Sequence, residues 1–199
     1  MRKFTCLLLS FIFCIMMAGC NSENSGSVTT ASADHIKCEM KIKDYGIIKL
    51  ELYPEKAPIS VNNFVSLVKS GFYDGLKIHR VQPGFVIQGG DPSLVGKDNV
   101  ASIKGEFSTN GIQNDLAHTR GALSMARKGN DNNSASSQFF ICVGDCRASL
   151  DGKYAGFGYV TEGMDVVDKI CALCPGQGNM GMLSNPDVMP VIEYIKIVE

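Results

Sequence analysis

Short apolar stretches recur along the chain from residue 36 onward, and residues that favour turns separate them. Several of the stretches alternate apolar and polar residues, which is typical of strands with one buried face. Many short strands in one chain favour an antiparallel sheet or barrel. We therefore predict a mainly β domain whose strands lie within 36–43, 47–52, 77–81, 85–88, 122–125, 138–143 and 190–198.

Two segments show helical spacing instead. Residues 58–68 place Val61, Phe64, Val65 and Val68 on one face, and Gly71 follows as a stop. A second amphipathic helix is predicted at 164–173, before a glycine-rich loop. Both helices are expected to pack on the sheet.

The first residues differ in kind from the rest of the chain. Arg2 and Lys3 precede an apolar run that ends at Ala18, Gly19 and Cys20. A basic start, an apolar centre and small residues at the end are typical of a secretory signal peptide, and the run falls short of the ~20 apolar residues of a transmembrane helix. We predict a signal peptide at 1–19 and export from the cytoplasm.

The residues around Cys20 resemble a bacterial lipobox, in which the cysteine thiol receives a lipid. This resemblance predicts a lipidated Cys20 that holds the protein on the outer side of a bacterial membrane, because two acyl chains anchor durably. Simple cleavage to a soluble secreted form is the alternative. Residues 20–35 are rich in small polar residues and predict a flexible tether, followed by one domain at 36–199.

Charge and composition exclude some partners. The chain carries 19 basic and 20 acidic residues, for a formal charge of -1, so nucleic acid is not an expected partner. Its 45% hydrophobic content is sufficient for one core. We expect a monomer.

Five cysteines remain beyond Cys20: Cys38, Cys142, Cys146, Cys171 and Cys174. Cys171 and Cys174 have the spacing of a redox pair, and together with Cys142 and Cys146 they could form four zinc ligands. Both patterns are weak because the first pair ends a predicted helix and does not begin one. We expect buried cysteines, with a structural disulfide as the next alternative, and neither a metal site nor a cofactor.

Polar residues interrupt two of the predicted strands. Arg80 and Gln88 lie among apolar neighbours, and Gln138 precedes Phe139 and Phe140. A buried charge without a partner is costly, so these side chains need polar company or a ligand. His79 falls on the opposite face of its strand from Arg80, and we interpret it as structural.

These segments resemble the cyclophilin family. The stretch from Ile78 to Asp91 matches the family pattern of His-Arg, Pro-Gly-Phe and Gln-Gly-Gly-Asp, with Ile78 in place of phenylalanine. Further matches in the same order lie at 119–127, 133–141, 150–154 and 157–158. The resemblance covers residues 38–199 and implies a closed eight-stranded antiparallel β-barrel capped by two α-helices.

The resemblance also implies a function, the acceleration of X-Pro isomerisation in proline-containing segments of exported proteins. Its alternative is a proline-peptide-binding module on the same fold that needs no turnover. The implied catalytic residues are Arg80, Phe85 and Gln88. The implied substrate-binding residues are Val86, Ala126, Arg127, Gln138, Phe140, Leu150 and Tyr154. Arg127 replaces an asparagine and Tyr154 a histidine that many members carry.

Overall fold

The computed structural model describes residues 34–173 and 180–198. The predicted signal peptide, Cys20 and most of the predicted tether lie outside these residues. Within them, no helix is long and apolar enough to cross a membrane. The strands are β1 (Ile36–Ile42), β2 (Gly46–Leu52), β3 (Ile78–Gln82), β4 (Val86–Gly89), β5 (Ala122–Met125), β6 (Phe139–Cys142), β7 (Gly156–Glu162) and β8 (Ile192–Val198), and the α-helices are α1 (Pro58–Lys69), α2 (Arg147–Leu150) and α3 (Met164–Cys171).

The eight strands form one antiparallel sheet in the order β3-β4-β6-β5-β7-β2-β1-β8. The prediction of a mainly β domain with eight antiparallel strands and two principal helices is confirmed, and α2 is an additional single turn. Asp44 and Gly46 adopt positive φ in the turn between β1 and β2, which allows the tight reversal of a hairpin.

The barrel is less completely closed than the resemblance implied. β3 and β8 are the two ends of the ladder, and among the described residues they pair only through the first residue of each strand and the residues just before it. Gly75 N donates to the Ile192 carbonyl at 2.8 Å, and Ile78 N donates to the Pro190 carbonyl at 2.9 Å. The sheet is therefore curled into a partial barrel. A sequence pattern indicates where individual strands lie but not how far the two end strands pair.

The segment 180–183 pairs with the edge of β3 that does not face β4. Val81 N donates to the Gly181 carbonyl at 2.6 Å, and Leu183 N donates to the His79 carbonyl at 2.8 Å. This pairing brings the carbonyl of Met180 next to the side chain of Arg80.

One face of α1 packs into the central core. Phe64 is fully buried, and its ring contacts the rings of Tyr73, Phe139 and Phe157 at centroid distances of 5.0 to 5.7 Å. The predicted apolar face of this helix is thus the one that is buried.

A glutamate from a distant loop caps the start of α1. Ala57 at the N-cap has no side chain that can accept a hydrogen bond. Glu106 accepts instead from Ile59 N at 2.9 Å, from Ser60 N at 2.8 Å and from Ser60 Oγ at 2.7 Å. Only 1% of Glu106 is exposed, so a buried carboxylate neutralises the positive end of this helix.

Candidate active site

Nine of the ten predicted peptide-site residues line one cavity, which we call the Arg80 cavity. It spans about 360 Å³, including solvent at its mouth, and opens on the outer surface of the curled sheet. Its lining consists of Arg80, Phe85, Val86, Gln88, Ala126, Arg127, Phe140, Leu150 and Tyr154. Gln138, the tenth, lies in the adjoining depression with Asp91, Ser93 and Lys128.

Strand alternation explains the apolar wall of the cavity. Gln88 pairs with Phe140 across β4 and β6, and Val86 lies two residues from Gln88 on the same face of β4. Phe140, Val86 and Leu150 belong to an apolar cluster separate from the central core. Phe139, on the other face of β6, packs in the central core. One strand thus supplies both the core and the cavity.

Arg80 is held from three sides at the polar end of the cavity. Its Nε donates to the Met180 carbonyl at 2.8 Å, its Nη1 to Gln88 Oε1 at 3.3 Å and its Nη2 to Gln82 Oε1 at 2.7 Å. Partial burial lowers the pKa of Arg80, but a guanidinium remains charged in a protein. Its position leaves a cation beside an apolar slot.

Arg127 forms the opposite rim. Its guanidinium carbon lies 4.7 Å from the centre of the Tyr154 ring and 5.2 Å from that of Phe107. Its nitrogens donate to backbone carbonyls, including Lys153 O at 3.0 Å. Among the described residues that line the cavity, two are arginines and none is acidic, so the site as a whole is cationic.

A buried polar group supports Phe140 from behind. The His118 ring stacks on Phe140 at 6.0 Å; its Nδ1 donates to Asp151 Oδ1 at 2.8 Å, and its Nε2 lies 3.0 Å from Ser124 Oγ. A carboxylate only accepts, so Nδ1 carries the proton and the neutral ring accepts from the serine. The order of groups is that of a hydrolase triad, but Ser124 is 0% exposed and no substrate can reach it. The group is structural.

The two buried histidines predict a pH-dependent stability. Burial lowers the pKa of both His79 and His118 from the usual ~6.5, although Asp151 opposes this effect at His118 and Asp91 does so at His79. The unfolded state therefore binds protons first as the pH falls below ~6.5, and the free energy of unfolding falls in that window. Above it, both rings are neutral in either state.

Urea unfolding at about pH 7.5 and 5.5 measures this effect, since most carboxylates titrate below that range, near pH 4. We expect a lower free energy of unfolding at the acidic pH, together with imidazole NMR signals of His79 and His118 that report a larger neutral fraction at any given pH than those of a free histidine. Equal stability at both pH values would contradict the prediction.

Three of the four cysteines in the described segments are inert by position, and the fourth, Cys171, is partly exposed. Cys38, Cys142 and Cys146 are buried thiols and not disulfides. Burial raises the pKa of Cys38 to about 11 and also raises those of Cys142 and Cys146. Across residues 34–173 and 180–198, no three potential ligand side chains are placed to hold a metal. Cys174, and with it the possible redox pair, lies outside the described residues.

Two of the groups that hold Arg80 were not predicted from the sequence. Gln82 lies two residues from Arg80 on the same strand face, so the period of two was a usable signal for it. The Met180 carbonyl lies 100 residues away and has no sequence signal.

Known proteins resemble the chain in both sequence and structure. Residues 37–193 match the family model described as "Cyclophilin type peptidyl-prolyl cis-trans isomerase/CLD". A peptidyl-prolyl cis-trans isomerase of Acinetobacter baylyi is 47% identical over 159 residues, covering 77% of this chain and 80% of the relative. Peptidyl-prolyl cis-trans isomerase A of Dickeya dadantii is 43% identical over 161 residues, with the same two coverages.

A solved cyclophilin-type isomerase of Cryptosporidium parvum superposes with a TM-score of 0.70 at 29% identity, covering 83% of this chain and 99% of that one. A second structure of the same protein, determined in the presence of the dipeptide Ala-Pro, gives a TM-score of 0.68. The family model, the sequence relatives and the fold all indicate the same family. The chain therefore belongs to the cyclophilin-type peptidyl-prolyl cis-trans isomerases.

Proposed function

We propose that this isomerase acts on X-Pro bonds of exported proteins, with the proline ring in the Arg80 cavity and the domain held at a membrane by lipid on Cys20. The observation that carries the site assignment is the placement of Arg80, which three acceptors hold beside an apolar slot. We further propose that the domain works as a monomer, since one chain supplies the whole cavity lining.

The chemistry requires only rotation about one bond. Twisting an X-Pro amide breaks its resonance and crosses a barrier of ~20 kcal/mol, which takes tens to hundreds of seconds without a catalyst. In the twisted state the proline nitrogen regains a lone pair. A donor aimed at that nitrogen stabilises the transition state more than the planar substrate, and Arg80 is the donor proposed here.

One donor does not account for the whole acceleration. Raising a rate of about 10⁻² s⁻¹ to about 10³ s⁻¹ requires roughly 7 kcal/mol, whereas a hydrogen bond from a charged group contributes about 1.5–3 kcal/mol. The proposed remainder comes from orientation in a dry slot. Phe85, Phe140 and Leu150 hold the ring in this proposal, while Gln88 binds the neighbouring peptide group and Arg80 together.

The proposed anchor rests on the first 35 residues. The basic start, the apolar run and the small residues before Cys20 match an export signal that ends at a lipid-accepting cysteine. A lipid there with a polar tether behind it would keep the isomerase close to proteins that emerge from the membrane unfolded.

Labelling with radioactive palmitate in a bacterial host tests the anchor. We expect the wild-type protein to be labelled and to sediment with membranes, and the Cys20→Ser variant to do neither. The matched control is Cys14→Ser, which changes a cysteine inside the predicted signal peptide and should retain the label. Equal labelling of wild type and Cys20→Ser, or no labelling of wild type, would refute the anchor and leave the isomerase activity untouched.

A further inference from the structure

A chain of side-chain hydrogen bonds leads from Arg80 to a carboxylate outside its cavity. Arg80 Nη1 donates to Gln88 Oε1 at 3.3 Å, and Gln88 Nε2 donates to Gln138 Oε1 at 2.9 Å. Gln138 Nε2 then donates to Asp91 Oδ2 at 3.0 Å. We call these four residues the Asp91 relay. Asp91 itself does not line the Arg80 cavity.

The two ends of the relay fix its direction, because the Asp91 carboxylate only accepts and the Arg80 guanidinium only donates. A side-chain amide has one donor end and one acceptor end, whereas a carboxylate only accepts. Gln138 must therefore turn its NH₂ toward Asp91 and its oxygen toward Gln88. Gln88 must in turn direct its NH₂ toward Gln138, which leaves its oxygen for Arg80. The reverse arrangement would place the NH₂ of Gln88 against the donors of Arg80.

Asp91 is itself fixed in orientation. Its Oδ1 accepts from Ser93 N at 3.0 Å and from Ser93 Oγ at 2.6 Å, and this caps the short 3₁₀ turn Pro92–Val95. One carboxylate oxygen therefore belongs to the turn and the other to the relay. The backbone of β4 and its following turn position both Gln88 and Asp91.

We propose that Asp91 is a positioning residue for isomerisation: through Gln138 and Gln88 it sets the acceptor that holds the Arg80 guanidinium toward the substrate. This inference rests on the proposed role of Arg80. It assigns Asp91 a role beyond capping the 3₁₀ turn Pro92–Val95.

Asp91→Asn is the discriminating variant, because it replaces the acceptor at one end of the relay with a donor while keeping its shape. The asparagine oxygen must stay on Ser93 N, which only donates, so its NH₂ faces Gln138. The relay then has a donor at each end, so one link must fail: if Gln138 and Gln88 reverse, Gln88 meets Arg80 with a donor, and if they do not, Gln138 loses its acceptor at position 91 and holds Gln88 less firmly. We expect kcat for an X-Pro peptide to fall about tenfold, the effect of losing one ordinary hydrogen bond, with little change in melting temperature.

Adding Gln138→Glu to Asp91→Asn should restore the rate. A carboxylate at position 138 accepts from Asn at 91 on one side and from Gln88 Nε2 on the other, so the oxygen of Gln88 again faces Arg80. We expect kcat to return to within about threefold of wild type. A purely structural role of Asp91 predicts no such rescue, because the second change would add a further perturbation.

The matched control is Asp131→Asn. Asp131 Oδ1 caps a turn by accepting from Asn133 N at 2.9 Å, as Asp91 does for Ser93, but it has no part in the relay. Its variant should have the wild-type kcat. Wild-type kcat in Asp91→Asn, or a loss that Gln138→Glu does not reverse, would overturn the proposal.

A readout independent of catalysis separates this inference from the function on which it rests. The side-chain amide proton signals of Gln88 and Gln138 in ¹H–¹⁵N spectra should shift in Asp91→Asn. The Gln88 signals should return in the double variant, in which position 138 has no side-chain amide. If these signals change as expected in the variants but the wild-type protein has no isomerase activity, the relay is correct and the proposed function is wrong. If they do not shift, the relay is wrong.

Discussion

Replacing Arg80 with alanine is expected to lower kcat for an X-Pro peptide by roughly 100-fold, while the affinity for the peptide changes little. The variant loses one charged hydrogen bond that forms fully only in the twisted state. Such a bond contributes about 1.5–3 kcal/mol to stabilising the transition state. A protease-coupled assay over a range of peptide concentrations, together with calorimetric binding of the same peptide, measures both quantities.

Two further variants sharpen this test. Arg80→Lys keeps the charge but cannot reach Gln82, Gln88 and the Met180 carbonyl together, so we expect it to recover only part of the rate. Arg147→Ala removes an exposed arginine paired with Asp145 and should leave kcat unchanged. If wild type binds the peptide without accelerating its isomerisation, the chain is a binding module and the catalytic assignment of Arg80 is wrong.

Replacing Glu106 with alanine is expected to lower the free energy of unfolding by roughly 3 kcal/mol. The change leaves the buried Ser60 N and Ser60 Oγ, and the part-buried Ile59 N, without their acceptor, and an unsatisfied buried donor costs about 1–3 kcal/mol. It also removes the negative charge that faces the positive end of α1. Urea unfolding monitored by circular dichroism measures the loss.

Glu106→Gln keeps the size and one acceptor oxygen, so we expect a smaller loss of about 1–2 kcal/mol. The matched control is Glu162→Ala, which breaks an exposed pair with Lys49 at 2.8 Å and should change stability by less than about 1 kcal/mol. If Glu106→Ala is as stable as Glu162→Ala, the remote cap contributes nothing.

Period-two alternation in three segments, and short apolar stretches between turn-forming residues in four others, were sufficient to locate seven of the eight strands, but β7 was missed. Its two glycines read as turn formers in a sequence. In the structure a side chain at Gly158 would come within 2.5 Å of the Glu51 carbonyl, and one at Gly156 within 2.6 Å of Leu116. The glycines allow other segments of the chain to pack closely against the strand. A single sequence does not show which segments these are.

The site was predictable where it follows a contiguous motif and unpredictable where it depends on distant chain segments. Residues 78–91 contain the arginine and much of the slot, and the resemblance was sufficient to assign them. The Met180 carbonyl that holds Arg80 and the carboxylate of Glu106 that caps α1 reach their partners only after folding. No local capping signal precedes α1, since Ala57 occupies the N-cap.

The incomplete closure of the barrel matters for a protein that meets unfolded chains. An open sheet edge is a template on which extended segments of other proteins can add as a further strand and aggregate. Here the outer edge of β3 is occupied, because Val81 N and the His79 carbonyl are already paired with 180–183. The other end strand, β8, exposes Glu193 and Lys196, charges that discourage such addition. An unfolded polypeptide therefore cannot dock along β3 without displacing part of the enzyme, which favours brief contact at a proline over lasting strand exchange.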